Sequence, residues 1–301
     1  MTRAVLLASH GSIDDLEDLP AFVTNVRRGH APSSDLLAEL RRRYRAAGGS
    51  PLNAINAEVA RKLQKRLGVP VEWASRLWKP YVRDVLVDLA KRGVDRVALV
   101  PLAQHSAAVY AAAARTPAEE VHIELACASN WGQSPRLCRA FADRVLEAMG
   151  PPSGCAPTTV VMTAHSLPRS VIDAGDPYER EVRASGATVA DEVAGRAKES
   201  VVFDVAFQSQ GLAGASGPTP WLGPDLPTTL DAVRARGDRR VVFAPIGFLA
   251  DHVEVLYDLD IEARAMAADR GLSYARARSL NADDDFIEVL AEVSSPLLLG
   301  G

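Results

Sequence analysis

Cysteine is scarce. The chain has three, Cys127, Cys138 and Cys155, and no two stand in a CxxC spacing. Neither a disulfide framework nor a zinc site is indicated. An iron–sulfur cluster normally takes four protein ligands, and one is missing. Buried, reduced thiols are the simpler expectation, and no resident cofactor is called for. Long apolar runs are also lacking. Residues 4–8 and the Pro296-Leu297-Leu298-Leu299 patch are too short for a signal-peptide core or a membrane span. A cytoplasmic protein is expected, with only a peripheral membrane contact left open. Positive charge is not in surplus: 34 Lys+Arg against 38 Asp+Glu give −4, which excludes a general nucleic-acid binder. The common nucleotide fingerprints are missing too. His10-Gly11-Ser12 is not GxGxxG, and there is no GxxxxGK[ST] and no GxSxG.

What the chain does have is core. Hydrophobic residues are 48% of 301, enough for two domains of about 150 residues each. Segments 4–8, 69–74, 97–102, 158–163, 202–207 and 241–246 read as short buried strands, with 121–126 a further candidate. Amphipathic segments 34–47, 53–67, 81–92, 134–149 and 178–197 lie between them. This alternation predicts an α/β fold with parallel sheets flanked by helices. The two halves read as copies. Pro80 to Pro101 and Pro224 to Pro245 both span 21 residues, each with a helix, a glycine and a strand between. The expected domains are therefore 1–150 and 151–301, two similar Rossmann-like units joined at Gly150-Pro151-Pro152-Ser153-Gly154. The last helix is free to pack back on the first domain. Ligands of such sheets bind beyond the carboxyl ends of the strands. His10, His165 and the segments after Pro101 and Pro245 lie at those ends.

Several residues there can carry chemistry. His165 either bonds local backbone or serves as a proton acceptor or metal ligand near neutral pH. Asp251 and Glu254 fit a capping box, but Glu254, Asp258 and Glu262 also recur at i, i+4, i+8 along one helix face. Such a row is either a solvated surface or a path for protons or hydrated cations. Val255, Leu259 and Ala263 line the opposite, inward face. Arg27-Arg28-Gly29 is a basic turn or a carboxylate clamp. His105 and Tyr110 fall in an Ala-rich stretch read as a loop, and Trp221 in a Gly/Pro-rich loop that suits packing or stacking.

Taken in order, Thr163-Ala164-His165-Ser166-Leu167-Pro168, Gly175-Asp176-Pro177-Tyr178, Phe207-Gln208-Ser209-Gln210, Pro220-Trp221-Leu222-Gly223-Pro224 and Asp251-His252-Val253-Glu254-Val255-Leu256-Tyr257-Asp258 closely resemble ferrochelatases. The resemblance covers nearly the whole chain. It implies a chelatase-like fold of two facing domains, with porphyrin and ferrous iron as substrates and haem synthesis as the setting. It makes His165 and Glu254 the catalytic pair and metal-side residues, followed by Asp258 and Glu262. It places propionate contacts at Arg27, Arg28 and Ser50, and His10, His105, Tyr110 and Trp221, by their places at strand ends and loops, are expected as further porphyrin contacts. Arg27-Arg28-Gly29, Gly49-Ser50-Pro51-Leu52 and the compact chain resemble the coproporphyrin III branch in particular.

One departure is His10, where that branch usually carries Tyr. It offers a different metal ligand on that side and is similar to the first-strand His-Gly of the smaller cobalt and sirohydrochlorin chelatases. A cobalt or nickel chelatase, or a non-catalytic tetrapyrrole or metal carrier on the same fold, are the rival readings, since fold alone does not decide function. A monomer is expected.

Overall fold

The computed structural model describes residues 2–152, 157–210 and 220–299. The first half runs β1 (Arg3–Ser9), α1 (Leu19–Val26), α2 (Ser34–Ala47), α3 (Leu52–Leu67), β2 (Val71–Ser75), α4 (Val82–Lys91), β3 (Arg96–Pro101), α5 (Ala107–Glu120), β4 (Glu124–Cys127) and α6 (Pro135–Met149). The second runs β5 (Thr158–His165), α7 (Arg169–Asp173), α8 (Tyr178–Ala194), β6 (Val201–Gln208), α9 (Leu226–Ala235), β7 (Arg240–Ala244), a π-helix (Val255–Ala263), α10 (Arg264–Asp269), β8 (Ser273–Arg276) and α11 (Asp284–Leu299).

The described strands form two parallel sheets of identical order, β2-β1-β3-β4 and β6-β5-β7-β8. The α/β class and the two similar units are as expected. The inner strands β1 and β5 are apolar at successive positions because both of their faces are covered, and Ala4 through Ala8 are wholly buried. The matched prolines do matched work. Ser75 N–H donates to the Pro80 carbonyl at 2.7 Å, and Phe207 N–H donates to the Pro224 carbonyl at 2.8 Å.

Packing does not follow a single cut at residue 150. One compact unit takes 2–32, 50–131 and 281–299 of the described residues, and the other takes 33–49 and 132–280. The reason is where helices find apolar partners. The buried face of α6, with Leu137, Phe141 and Val145, packs on α8 and β7. Helix α11 buries Phe286 and Leu290 against β3 and α3, and Phe286 stacks on Trp131 at 6.4 Å between centroids. Helix α2 starts at a Ser33 cap and stops at Gly48, whose φ of 74° suits a left-handed C-cap. It packs against the π-helix.

Helix α5 and strand β8 differ from expectation. The Ala-rich stretch is helix α5, as the high helix propensity of alanine allows. Strand β8 was not expected, since Ser273-Tyr274-Ala275-Arg276 has no apolar run to announce it. Cys127 is half-buried and Cys138 buried, and burial raises both thiol pKa values. Cys155, with Ser153 and Gly154 of the expected linker, lies outside the described residues. Among those residues no helix is long and apolar enough to cross a membrane.

Candidate active site

Strand β5 delivers His165 to the carboxyl end of its sheet. In register beside it on β6 stands Gln208, and Ser166 N–H donates to the Gln208 carbonyl at 2.8 Å. The Tyr178 hydroxyl, at the start of α8, donates to the His165 carbonyl at 2.9 Å. Gly247 lies directly on the strand. Its N–H donates to the Thr163 carbonyl at 2.9 Å, and a Cβ there would stand 2.5 Å from that of Ala164. A short bridge pairs Pro168 with Trp221, with Leu222 N–H donating to the Leu167 carbonyl at 2.9 Å. Trp221 is half-buried beside the histidine loop.

Glu254 approaches His165 Nδ1 at 3.4 Å and His252 Nε2 at 3.9 Å. The imidazole of His165 is half-exposed while its Nδ1 is buried. Burial works against its charged form, but Glu254 and Asp258 outweigh burial and leave its pKa above the ordinary value. For His252 burial wins, and its pKa is lowered.

The capping-box reading gives way here. Leu256 N–H donates to the His252 carbonyl at 2.9 Å, so His252 is the N-cap and Glu254 is the second helical residue instead of the third. Asp251 instead accepts from Arg276 at 3.0 Å and Ser279 at 2.9 Å.

Past Glu254 the acidic row runs along a π-helix, not the expected α-helix. Its i→i+5 bonding puts more residues in each turn. Steps of four overshoot an α turn and fall short of a π turn, so Glu254, Asp258 and Glu262 still share one side. Val255, Leu259 and Ala263 are fully buried, in a cluster with Phe243 and Leu230.

Asp258 is only 3% exposed. It accepts from the Ser209 hydroxyl, from Gln208 Nε2 at 3.3 Å and from Arg43 Nη1 at 3.2 Å. Burial, then the Glu254 charge, pushes its pKa up to about 7, against the opposing pull of Ser209 and Arg43. Arg43 also reaches Glu262 at 3.6 Å and stacks over Tyr257, 4.5 Å from the ring centroid. Glu39 holds Arg42 and Arg43, and these arginines lower its pKa to about 2.

The other expected contacts lie in the first unit. His10 follows β1, exposed, edge-on to Phe22 at 6.4 Å. Arg27 is half-buried and Arg28 exposed, on the turn that ends α1. Ser50 Oγ is buried without a hydrogen-bond partner. His105 and Tyr110 are buried, unlike His10, and offer little surface to a ligand. Burial holds the His105 pKa down at about 4, so it stays neutral near pH 7. The Arg76 guanidinium lies over the Tyr110 ring at 5.6 Å. Among the described residues no three His, Cys, Asp or Glu side chains converge as a ready metal shell.

The sequence reading passed over Arg43, Gln208, Ser209, Tyr178 and His252. All but Arg43 sit inside the recognisable blocks. Arg43 had no local signal.

A ferrochelatase family profile matches residues 2–296. A ferrochelatase of Acidobacterium capsulatum is 35% identical over 298 residues, covering 92% of this chain and 89% of that one. A coproporphyrin III ferrochelatase of Anoxybacillus flavithermus is 34% identical, covering 96% and 94%. Among solved structures, SirB from Bacillus subtilis with Fe3+ superposes with a TM-score of 0.62 at 14% identity, covering 99% and 96%, a likeness of fold alone. With a profile spanning nearly every residue and relatives at this identity, the chain belongs to the ferrochelatase family, enzymes that insert a metal ion into a porphyrin.

Proposed function

We propose that this chain inserts ferrous iron into coproporphyrin III, in preference to protoporphyrin IX, as a step of haem synthesis in the cytoplasm. The observation that carries the reading is the His165–Glu254 pair, 3.4 Å apart at a strand end, with buried Asp258 behind it. Insertion requires two pyrrole N–H protons to leave while the hydrated ion sheds water. An imidazole held above its ordinary pKa and a carboxyl raised to about 7 are both matched to proton transfer near neutral pH. His165 is the base, Glu254 supports its charged form, and the acidic row takes the protons onward. Imidazole also suits first-row metals, whereas the carboxylates suit hydrated ions. His10 is the metal-side and porphyrin group of the first unit.

Coproporphyrin III carries four carboxylates and protoporphyrin IX two, so the Arg27-Arg28 turn favours the former. The Anoxybacillus relative bears that substrate in its name. The test is an anaerobic insertion assay of both porphyrins with Fe(II), Co(II) and Zn(II). Faster iron insertion into coproporphyrin III supports the reading, and a preference for protoporphyrin IX or for cobalt overturns it. His165→Ala should abolish insertion with the fold intact, and near-normal turnover would remove His165 from its role.

A further inference from the structure

Gln208 closes β6 with 2% of its surface exposed. It is paired in register with His165, so both side chains leave the sheet on the same face. Its Nε2 donates to Asp258 Oδ2 at 3.3 Å. Its Oε1 is buried and has no hydrogen-bond partner, and the buried His165 Nδ1 faces only Glu254, at 3.4 Å. An unpaired buried oxygen is costly, and folded proteins keep few of them. Apolar residues would fill this position at lower cost if it served packing alone. A strand-end amide that faces the proton acceptor with one atom and keeps the other open is therefore a functional arrangement.

We propose that Gln208 is a positioning residue for proton removal, its Oε1 holding a water molecule that carries a proton from His165 to Asp258. The proposal rests on the chelatase reading above. His165 accepts a pyrrole proton on its outer nitrogen and releases the proton on Nδ1. That N–H bond breaks as an O–H bond forms to the water, and the water gives one of its own protons to the Asp258 carboxylate. Nothing is oxidised or reduced. A held water needs two to four polar partners, and Gln208 Oε1, His165 Nδ1 and the Asp258 carboxylate are of the right kind. The amide orients the water without taking up the proton itself.

The competing route is direct transfer from His165 to Glu254, 3.4 Å away, which needs no Gln208. The two are separated by Gln208→Met and Gln208→Glu, each assayed by single-turnover insertion of Fe(II) into coproporphyrin III and by melting temperature, with rates normalised to folded protein. Gln208→Met should slow insertion by at least about tenfold at unchanged porphyrin KM, with a larger solvent deuterium effect. Gln208→Glu keeps an oxygen in the Oε1 position, so it should retain more turnover than Gln208→Met although it sets a carboxylate beside Asp258. Wild-type speed in Gln208→Met overturns the proposal. So does a Gln208→Glu slower than Gln208→Met, the order expected of a residue that only donates to Asp258. A wild-type protein that inserts no metal would overturn the chelatase reading itself, and it is recognised before any variant is compared.

Discussion

Gly247 joins the fold to the chemistry at one atom. Substitution by alanine would place a Cβ 2.5 Å from Ala164 Cβ and 2.6 Å from Ala164 Cα. Carbon atoms rest at about 3.5 Å or more, so strand and loop must part by about 1 Å. Neither side gives easily. Ala164 is an inner-strand residue, fully buried, and Gly247 N–H is tied to the Thr163 carbonyl at 2.9 Å. Forcing an extra methyl into such a contact costs about 1–3 kcal/mol. At about 2–4 °C per kcal/mol for units of this size, the melting temperature should fall by about 2–12 °C. The displaced residue is the immediate neighbour of His165, and a misplacement of about 1 Å can cost about a hundredfold in rate. Activity should thus drop further than the loss of folded protein explains. Gly195→Ala is the control. Gly195 has helical φ and ψ of −68° and −14° and meets only the Asp191 carbonyl, at 3.4 Å. There the change should be neutral or stabilise slightly, since it restricts the unfolded chain. The measurements are thermal unfolding by circular dichroism and single-turnover iron insertion. If Gly247→Ala keeps the wild-type melting temperature and rate, the close packing of loop on strand is not what places His165.

Glu254→Gln keeps the shape of the side chain and removes its charge, so insertion should fall by about 10²-fold or more with little change in melting temperature. Retained turnover would return Glu254 to a structural role. Asp258 should leave a mark on stability against pH. Its folded pKa of about 7 lies above the usual 3.8, so the folded chain keeps a proton that the unfolded chain has lost. That contribution is full below about pH 4 and disappears as pH rises through 7. Asp258→Asn should flatten the melting-temperature profile across that window, and an unchanged slope would contradict the raised pKa. Replacing Arg27 and Arg28 together with alanine should raise KM for coproporphyrin III more than for protoporphyrin IX, and equal effects on both would remove the pair from substrate choice.

Much of this molecule is readable along the chain because its determinants are local. Buried parallel strands such as β1 and β5 stand out as apolar runs, since helices cover both of their faces. His165 and Glu254 sit in dense blocks at strand and helix ends. Arg43 is different. It meets Asp258 across 215 residues of sequence, in a unit whose other residues begin at Gly132. No composition, spacing or turn residue near Arg43 forecasts that helix α2 would leave the first half of the chain. The α2 sequence states only that one face is apolar, not which apolar surface will meet it.

The π-helix is an intermediate case, since its two faces are legible and its wider winding is not. Acids recur at 254, 258 and 262, and fully buried residues at 255, 259 and 263. Both stripes keep a strict period of four. A 3.6-residue helix lets such stripes drift by about 40° at each step. A helix with more than four residues per turn lets them drift in the opposite sense. Two stripes of opposite chemistry, each repeating every four residues, therefore stay on their own sides in either helix form. One face fills the core beside Phe243, and the other brings Glu254 to His165 and Asp258 to Gln208 and Arg43.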